Sequence, residues 1–178
     1  MPTTTPPIIK PSILEFCSSI VPHQQPLYVE VNPLRDQTVN ECFTILPKHV
    51  TTHGGEQVFG WSIWEWPKVM IEAEFHAVWR TKDSRLIDVT PKQISISRIL
   101  FLPDPSRKYE GVQVDNIRKP LRGDKRIYRF CELAHELFLA TNEGNLAYKR
   151  TYDVTPKIQK IRDDMMQLYM AITRKYGE

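Results

Sequence analysis

Glycine is scarce in this chain, seven residues in 178. Neither G-x-G-x-x-G nor the P-loop word occurs, which removes the two common glycine loops that cradle phosphates. Cysteine is scarcer still. Cys17, Cys42 and Cys131 are odd in number, widely spaced and never in a C-x-x-C pair, so neither a disulfide framework nor a structural zinc knuckle is expected. No apolar run approaches the roughly 18 to 20 residues of a membrane span. The N-terminus also lacks the basic, apolar, small-residue order of a secretory signal, and the expected setting is cytoplasmic, without a membrane partner. A large excess of charge of one sign is missing too. The chain carries 24 Lys and Arg against 21 Asp and Glu, a net +3, with 41% hydrophobic residues, a balance that excludes a disordered acidic chain. No internal repeat of solenoid period is found.

What the chain has in quantity is proline, with fourteen residues. Pro2, Pro6, Pro7 and Pro11 fall among threonines at the start, so residues 1–11 are expected to be a disordered arm. Residues 12–178 have the common size of one domain and are expected to form a single one. Ser12 to Ile20 carries apolar residues at helical spacing, and Leu27 to Val31 alternates as a strand. Thr38-Val39-Asn40-Glu41 has the form of a capping box, which predicts a helix starting there. Val39, Cys42, Phe43, Leu46 and Val50 share one helical face, while Pro47 predicts a kink or an end near Leu46. From Glu56 to Pro103 four β-rich stretches follow, Gln57 to Trp66, Val69 to Arg80, Arg85 to Val89 and Arg98 to Leu102. The short loops between them predict antiparallel pairing. Two helices close the chain, over Tyr128 to Ala140 and from a Thr155 cap to Tyr176. The order is that of an α+β fold.

The stretch from Ile71 to Arg80 separates two faces by alternation, with Glu72, Glu74, His76, Val78 and Arg80 on one of them. A hairpin looping at 81–83 brings Arg85 to Val89 alongside and sets His76 opposite Asp88, where a carboxylate can fix the imidazole tautomer. A positioned histidine backed by a carboxylate is two-thirds of a nucleophile, base and orienter arrangement. Cys42 is the candidate nucleophile, because the capping box puts it in the first turn of a helix, where free N–H groups favour thiolate. Gln37 and Asn32, just upstream, are candidate oxyanion donors beside those N–H groups.

The order Cys, His, Asp, with the local words His76-Ala77-Val78-Trp79 and Ile87-Asp88-Val89-Thr90-Pro91, resembles the transglutaminase-like and papain-like cysteine-enzyme superfamily. The resemblance covers roughly Asn32 to Pro103. It implies a fold in which a helix carrying the cysteine packs on an antiparallel sheet, with Cys42 attacking an acyl carbon, His76 moving the proton and Asp88 orienting His76. The block from Gly60 through Pro103 is also similar to a small group of bacterial proteins, which brings no activity with it. The reaction expected is acyl transfer without a cofactor, preferably amide hydrolysis on a peptide, a protein side chain or a small amide, since water needs no second binding site.

Two other readings use the same residues. Glu72, Glu74 and His76 form an E-x-E-x-H face whose donors suit a divalent metal in a metal-dependent enzyme. A non-catalytic interaction module would instead use Trp61, Trp64 and Trp66 as the walls of a cleft, which are equally a candidate substrate cleft for the enzyme. Residues 107–129 hold eight basic residues against three acidic ones. No nucleic-acid motif accompanies them, and a solvated basic loop is expected rather than a nucleic-acid partner.

Overall fold

In the computed structural model, residues 3–143 and 152–177 are described. They form α1 (Pro11–Ile20), β1 (Leu27–Val31), α2 (Cys42–His53), β2 (Glu56–Trp66), β3 (Met70–Arg80), β4 (Leu86–Asp88), β5 (Arg98–Pro103), β6 (Ile117–Pro120), α3 (Lys125–Thr141) and α4 (Pro156–Tyr176). The fold is α+β. No helix among the described residues is long and apolar enough to cross a membrane.

The strands run in the order β2-β5-β1-β4-β3, and β2 also pairs with β3, so the five close into a small barrel with β6 beside β3. Among the described residues, closure leaves this short sixth strand as the edge and removes the open row of N–H and C=O groups that a flat sheet presents. Pairing is antiparallel between β1 and β5, β2 and β5, and β3 and β4. The antiparallel β3–β4 pair agrees with the expectation from the short loop between them, whereas β1 and β4, far apart in the chain, run parallel with Glu30 facing Ile87 and Val31 facing Asp88. A parallel pair needs a long crossover, which α2 and the β2–β3 hairpin supply.

Strand alternation sorts the barrel wall. Val29, Val78, Ile99 and Phe101 meet on one face with Val58, Trp64 and Leu86. On the other face, Cys42, Ile45 and Leu46 of α2 pack against Ala77 and Val89. Gly60 marks a tight crossing: a Cβ there would lie 2.2 Å from the Leu102 carbonyl oxygen and 2.6 Å from Phe101 Cζ. Only glycine lets β2 and β5 approach that closely.

The start of α2 departs from the capping-box expectation. Asn40 adopts φ 60° and donates its N–H to the Pro91 carbonyl, which turns the chain and delays the helix to Cys42. No side chain caps it, and Val39 is exposed rather than on the buried face. Pro47 does not end the helix, which runs on to His53 with the proline inside it. A proline there costs about 3 kcal/mol, and burial of Ile45, Leu46 and His49 on the packed side offsets it.

The β3–β4 hairpin is also displaced from its expected register. Trp79 faces Ile87 and Arg80 faces Leu86, so the three-residue loop is 82–84, not 81–83. Ser84 takes the left-handed position, φ 66°, and Arg85 N–H donates to Thr81 Oγ1, which fixes the longer register. The pairing is therefore two residues from the expected one, and two residues is one full strand period, which leaves every side chain on its expected face.

The chain divides into two compact units. The barrel unit comprises residues 5–64 and 73–109, and the second comprises 1–4, 65–72 and 110–178. Within the second, Trp66, Val69 and Met70 from the tip of the β2–β3 hairpin pack with Ile127, Phe130 and Ile172. Asp124 caps α3 and also accepts from Lys175 Nζ and Tyr176 Oη. Thr155 caps α4 with Pro156 in the first turn, as the sequence predicts. The described part of the N-terminal arm is held in place rather than disordered. Thr4 bridges Glu65 through both backbone groups, Thr5 Oγ1 donates to the Arg98 carbonyl, and Tyr28 Oη donates to that of Pro6.

Candidate active site

His76 lies on β3 and Asp88 ends β4, and alternation sends both to the same face of the barrel wall. His76 Nε2 donates to Asp88 Oδ2 at 3.0 Å, between side chains that are 4% and 0% exposed. Asp88 Oδ1 accepts the Thr90 N–H at 3.0 Å, so the turn after β4 orients the carboxylate that holds the ring. A third group completes the cluster. Lys92 Nζ lies 2.9 Å from the same Asp88 Oδ2 and 3.2 Å from His76 Nε2. Nδ1 of His76 makes none of the hydrogen bonds found among the described residues.

Burial alone would favour a neutral ring, but the Asp88 charge, the Cys42 charge and the Asp88 hydrogen bond outweigh burial and the opposing Lys92. The His76 pKa is raised to about 9. Burial likewise acts to raise the Asp88 pKa, yet His76 and Lys92 hold its carboxyl well below the usual range. At neutral pH the pair is therefore imidazolium and carboxylate, each stabilising the other's charge in a site with little water.

Cys42 is the first residue of α2 and is 3% exposed. The preceding segment runs beside the end of β4: Asn32 N–H donates to the Asp88 carbonyl, Leu34 N–H to that of Val89, and Asn40 N–H to that of Pro91. These three bonds deliver the helix start to the strand stretch that carries the histidine and the aspartate. Cys42 packs with Ala77 and Val89, the residues that follow His76 and Asp88. Neighbouring side chains leave a strand on opposite faces, so this packing lies on the helix side of the wall, and no hydrogen bond joins Sγ to the ring among the described residues. The link between them is electrostatic, a minor influence of Cys42 acting to raise the His76 pKa after the larger effects of burial, Asp88 and Lys92. Free N–H groups at the first turn of α2 favour negative charge at the same place.

The other two thiols have no such setting. Burial pushes Cys17 up to about 12, and burial with the nearby Glu72 and Glu132 charges pushes Cys131 up to about 11. Asn32 and Gln37 are exposed and their side chains make no hydrogen bond among the described residues. What Asn32 contributes is its backbone bond to Asp88.

The three tryptophans do not wall a cleft. Trp61 is buried and donates to Asp104 Oδ2 at 3.0 Å, Trp64 donates to Glu74 Oε2 at 2.8 Å, and Trp66 is core to the second unit. The E-x-E-x-H face fails as a metal site for the same reason. Glu72 pairs with Arg118 Nε at 2.8 Å and accepts from Asn116, Glu74 accepts from Trp64, and His76 is bonded to Asp88. Among the described residues no group of three or more His, Cys, Asp or Glu is placed to hold an ion. Much of the basic stretch is neutralised internally: Arg118 by Glu72 and Asp115, Arg126 by Asp124, and Arg129 by Glu132 and Glu136.

Lys92 is the member of the cluster that sequence reasoning missed. Its signal was the word Asp88-Val89-Thr90-Pro91-Lys92, in which a carboxylate at a strand end is followed by an N–H two residues on and an ammonium four residues on. No family of known proteins, no curated protein and no solved structure matches this chain.

Proposed function

We propose that this chain is a cysteine-dependent acyl-transfer enzyme of papain or transglutaminase-like organisation, with Cys42 as nucleophile, His76 as general acid and base, and Asp88 as the orienting group. The observation that carries the reading is the buried pair in which Asp88 takes Nε2 of His76, while Nδ1 makes none of the hydrogen bonds found among the described residues. Cys42 at the first position of α2, with its charge coupled to the ring, supports the third role.

In this reading the Cys42 sulfur bonds to an acyl carbon, the developing oxyanion meets N–H groups at the start of α2, and the His76 proton goes to the departing amine. A thioester and a free amine result. Water then attacks the thioester carbon, gives one proton back to His76, and releases a carboxylic acid and the thiolate. Amide hydrolysis is the preferred outcome, since a single substrate site and water suffice. The test is an activated ester, p-nitrophenyl acetate, followed by peptide mass mapping. The expected result is an acetyl group on Cys42 that forms and decays with turnover and is absent in His76→Ala. An acetyl group found only on Cys131 or on lysines contradicts the reading.

One observation favours a second reading. Lys92 fills the cluster with an ammonium of its own, as a buried ionic pin would in a non-catalytic interaction module. Folded protein that is never acylated supports that module.

A further inference from the structure

His76 does not have Asp88 to itself. Asp88 Oδ2 is 3.0 Å from His76 Nε2 and 2.9 Å from Lys92 Nζ, and the two nitrogens are 3.2 Å apart. One buried oxygen thus serves two cations. The other oxygen is occupied by the Thr90 N–H, so the carboxylate cannot rotate to separate them. Lys92 reaches in with its side chain only 9% exposed. It does so from a turn whose Pro91 carbonyl holds Asn40, two residues before Cys42. A lysine on a solvated turn would normally extend into water. Holding it here costs the desolvation of an ammonium, which the Asp88 contact compensates.

From this geometry we propose that Lys92 is a positioning residue for the site. By sharing Asp88 Oδ2 it fixes where the carboxylate sits and divides the carboxylate's charge, so that His76 keeps its ring orientation but holds its proton less tightly than it would with the whole of Asp88. The proposal rests on the cysteine-enzyme reading for its meaning, but not for its test. The charged groups at the ring are Asp88 from β4 and Lys92 from the turn after it, while Cys42 of α2 acts on it electrostatically from the helix side of the wall. Glu74, two residues away on β3, is bonded to the Trp64 indole. Of these, Lys92 is the one whose charge acts to lower the His76 pKa. A ring released only at strongly alkaline pH is a poor base at neutral pH, because the best proton shuttle titrates near the working pH. Lys92 brings His76 closer to that condition and keeps the proton available for the leaving amine.

The test is an imidazole titration by NMR on the full chain, in wild type, Lys92→Met and Lys92→Arg. Lys92→Met keeps the length and apolar stem and removes the charge. It is expected to move the His76 titration upward by about one unit, the size of effect a close like charge produces. Lys92→Arg, which keeps the charge, is expected to return the titration toward its wild-type position. A merely structural lysine would change melting without moving the His76 titration, and that result overturns the proposal. If Lys92→Met does not fold, the wild-type protein still decides, because the Lys92 Nζ resonance must shift as His76 titrates, and an Nζ signal indifferent to that step overturns the proposal. Alkylation of Cys42 in the same samples separates this from the enzyme reading. A moved titration with an inert Cys42 keeps Lys92 as the tuning group and removes the enzyme.

Discussion

His76 is the residue on which the chemistry and the stability of the barrel meet. Its pKa, raised to about 9 in the folded chain, stands above the ordinary value of about 6.5 in an unfolded one. A group raised on folding stabilises fully below its unfolded pKa, and that contribution is lost as pH climbs through the folded value. Asp88 is depressed, so its contribution is present above about pH 4 and is lost on acidification. Both contributions are complete only between about pH 4 and 6.5. Urea midpoints measured against pH are expected to plateau in that window and to fall toward pH 9 and beyond. In His76→Ala the alkaline fall attributable to this residue should vanish, while the plateau drops by about 3 kcal/mol or more, because a buried carboxylate loses a partner. The pairing itself was legible in the sequence, since alternation from Ile71 to Arg80 places His76 on one face and a short hairpin returns an aspartate to it. Lys92 was not legible. Nothing in a residue's type tells whether a lysine on a turn reaches into the wall or out into water.

Among the elements, the β3–β4 hairpin shows why faces are easier to read than registers. Alternation fixes a side chain's face with a period of two, and a one-residue error in loop placement moves each cross-strand partner by two, which leaves that assignment intact. The loop itself is chosen by Ser84, which accepts φ 66° although its sequence carries no glycine signal. That conformation costs a non-glycine residue about 1 to 2 kcal/mol. Ser84→Gly is therefore expected to raise stability by about 0.5 to 1 kcal/mol in thermal melts, and Ser84→Val to lower it by a similar amount or more. A destabilised Ser84→Gly would mean that the serine is held by something other than the turn. The start of α2 carries the same lesson in another form. Thr38-Val39-Asn40-Glu41 fits a capping box residue by residue, yet the long-range bond from Asn40 to Pro91 takes the backbone away from the helix. A bond across half the barrel has no local signature. Pro47 stays inside the helix for a related reason, because burial of Ile45, Leu46 and His49 offsets a penalty that local sequence alone would treat as ending it.

At the scale of the whole molecule, the mixture of helices and sheet was readable from the order of patterns, and the closure of the barrel was not. Closure depends on β1 meeting β4 in parallel and on β2 reaching both β3 and β5, pairings between segments far apart in the chain. The one sequence hint is Gly60, an isolated glycine inside an otherwise bulky strand. Gly60→Ala places a methyl carbon 2.2 Å from the Leu102 carbonyl oxygen. It is expected to cost about 3 kcal/mol or more and to weaken amide-exchange protection in β2 and β5 together. Unchanged stability would show that the crossing is looser than described. The β2–β3 hairpin contributes residues to both units, a division with no signature in the length or composition of the chain.

The most direct measurement is the order in which the three thiols react with iodoacetamide at pH 6.5, read by peptide mass mapping in wild type and His76→Ala. Exposure alone ranks Cys131 first, since Cys17 and Cys42 are both buried. A thiolate activated at the start of α2 and coupled to the His76 imidazolium ranks Cys42 first, well ahead of Cys131 and Cys17, with the advantage lost in His76→Ala. If Cys131 leads and Cys42 stays inert in both proteins, Cys42 is a core thiol and the cysteine-enzyme account is wrong.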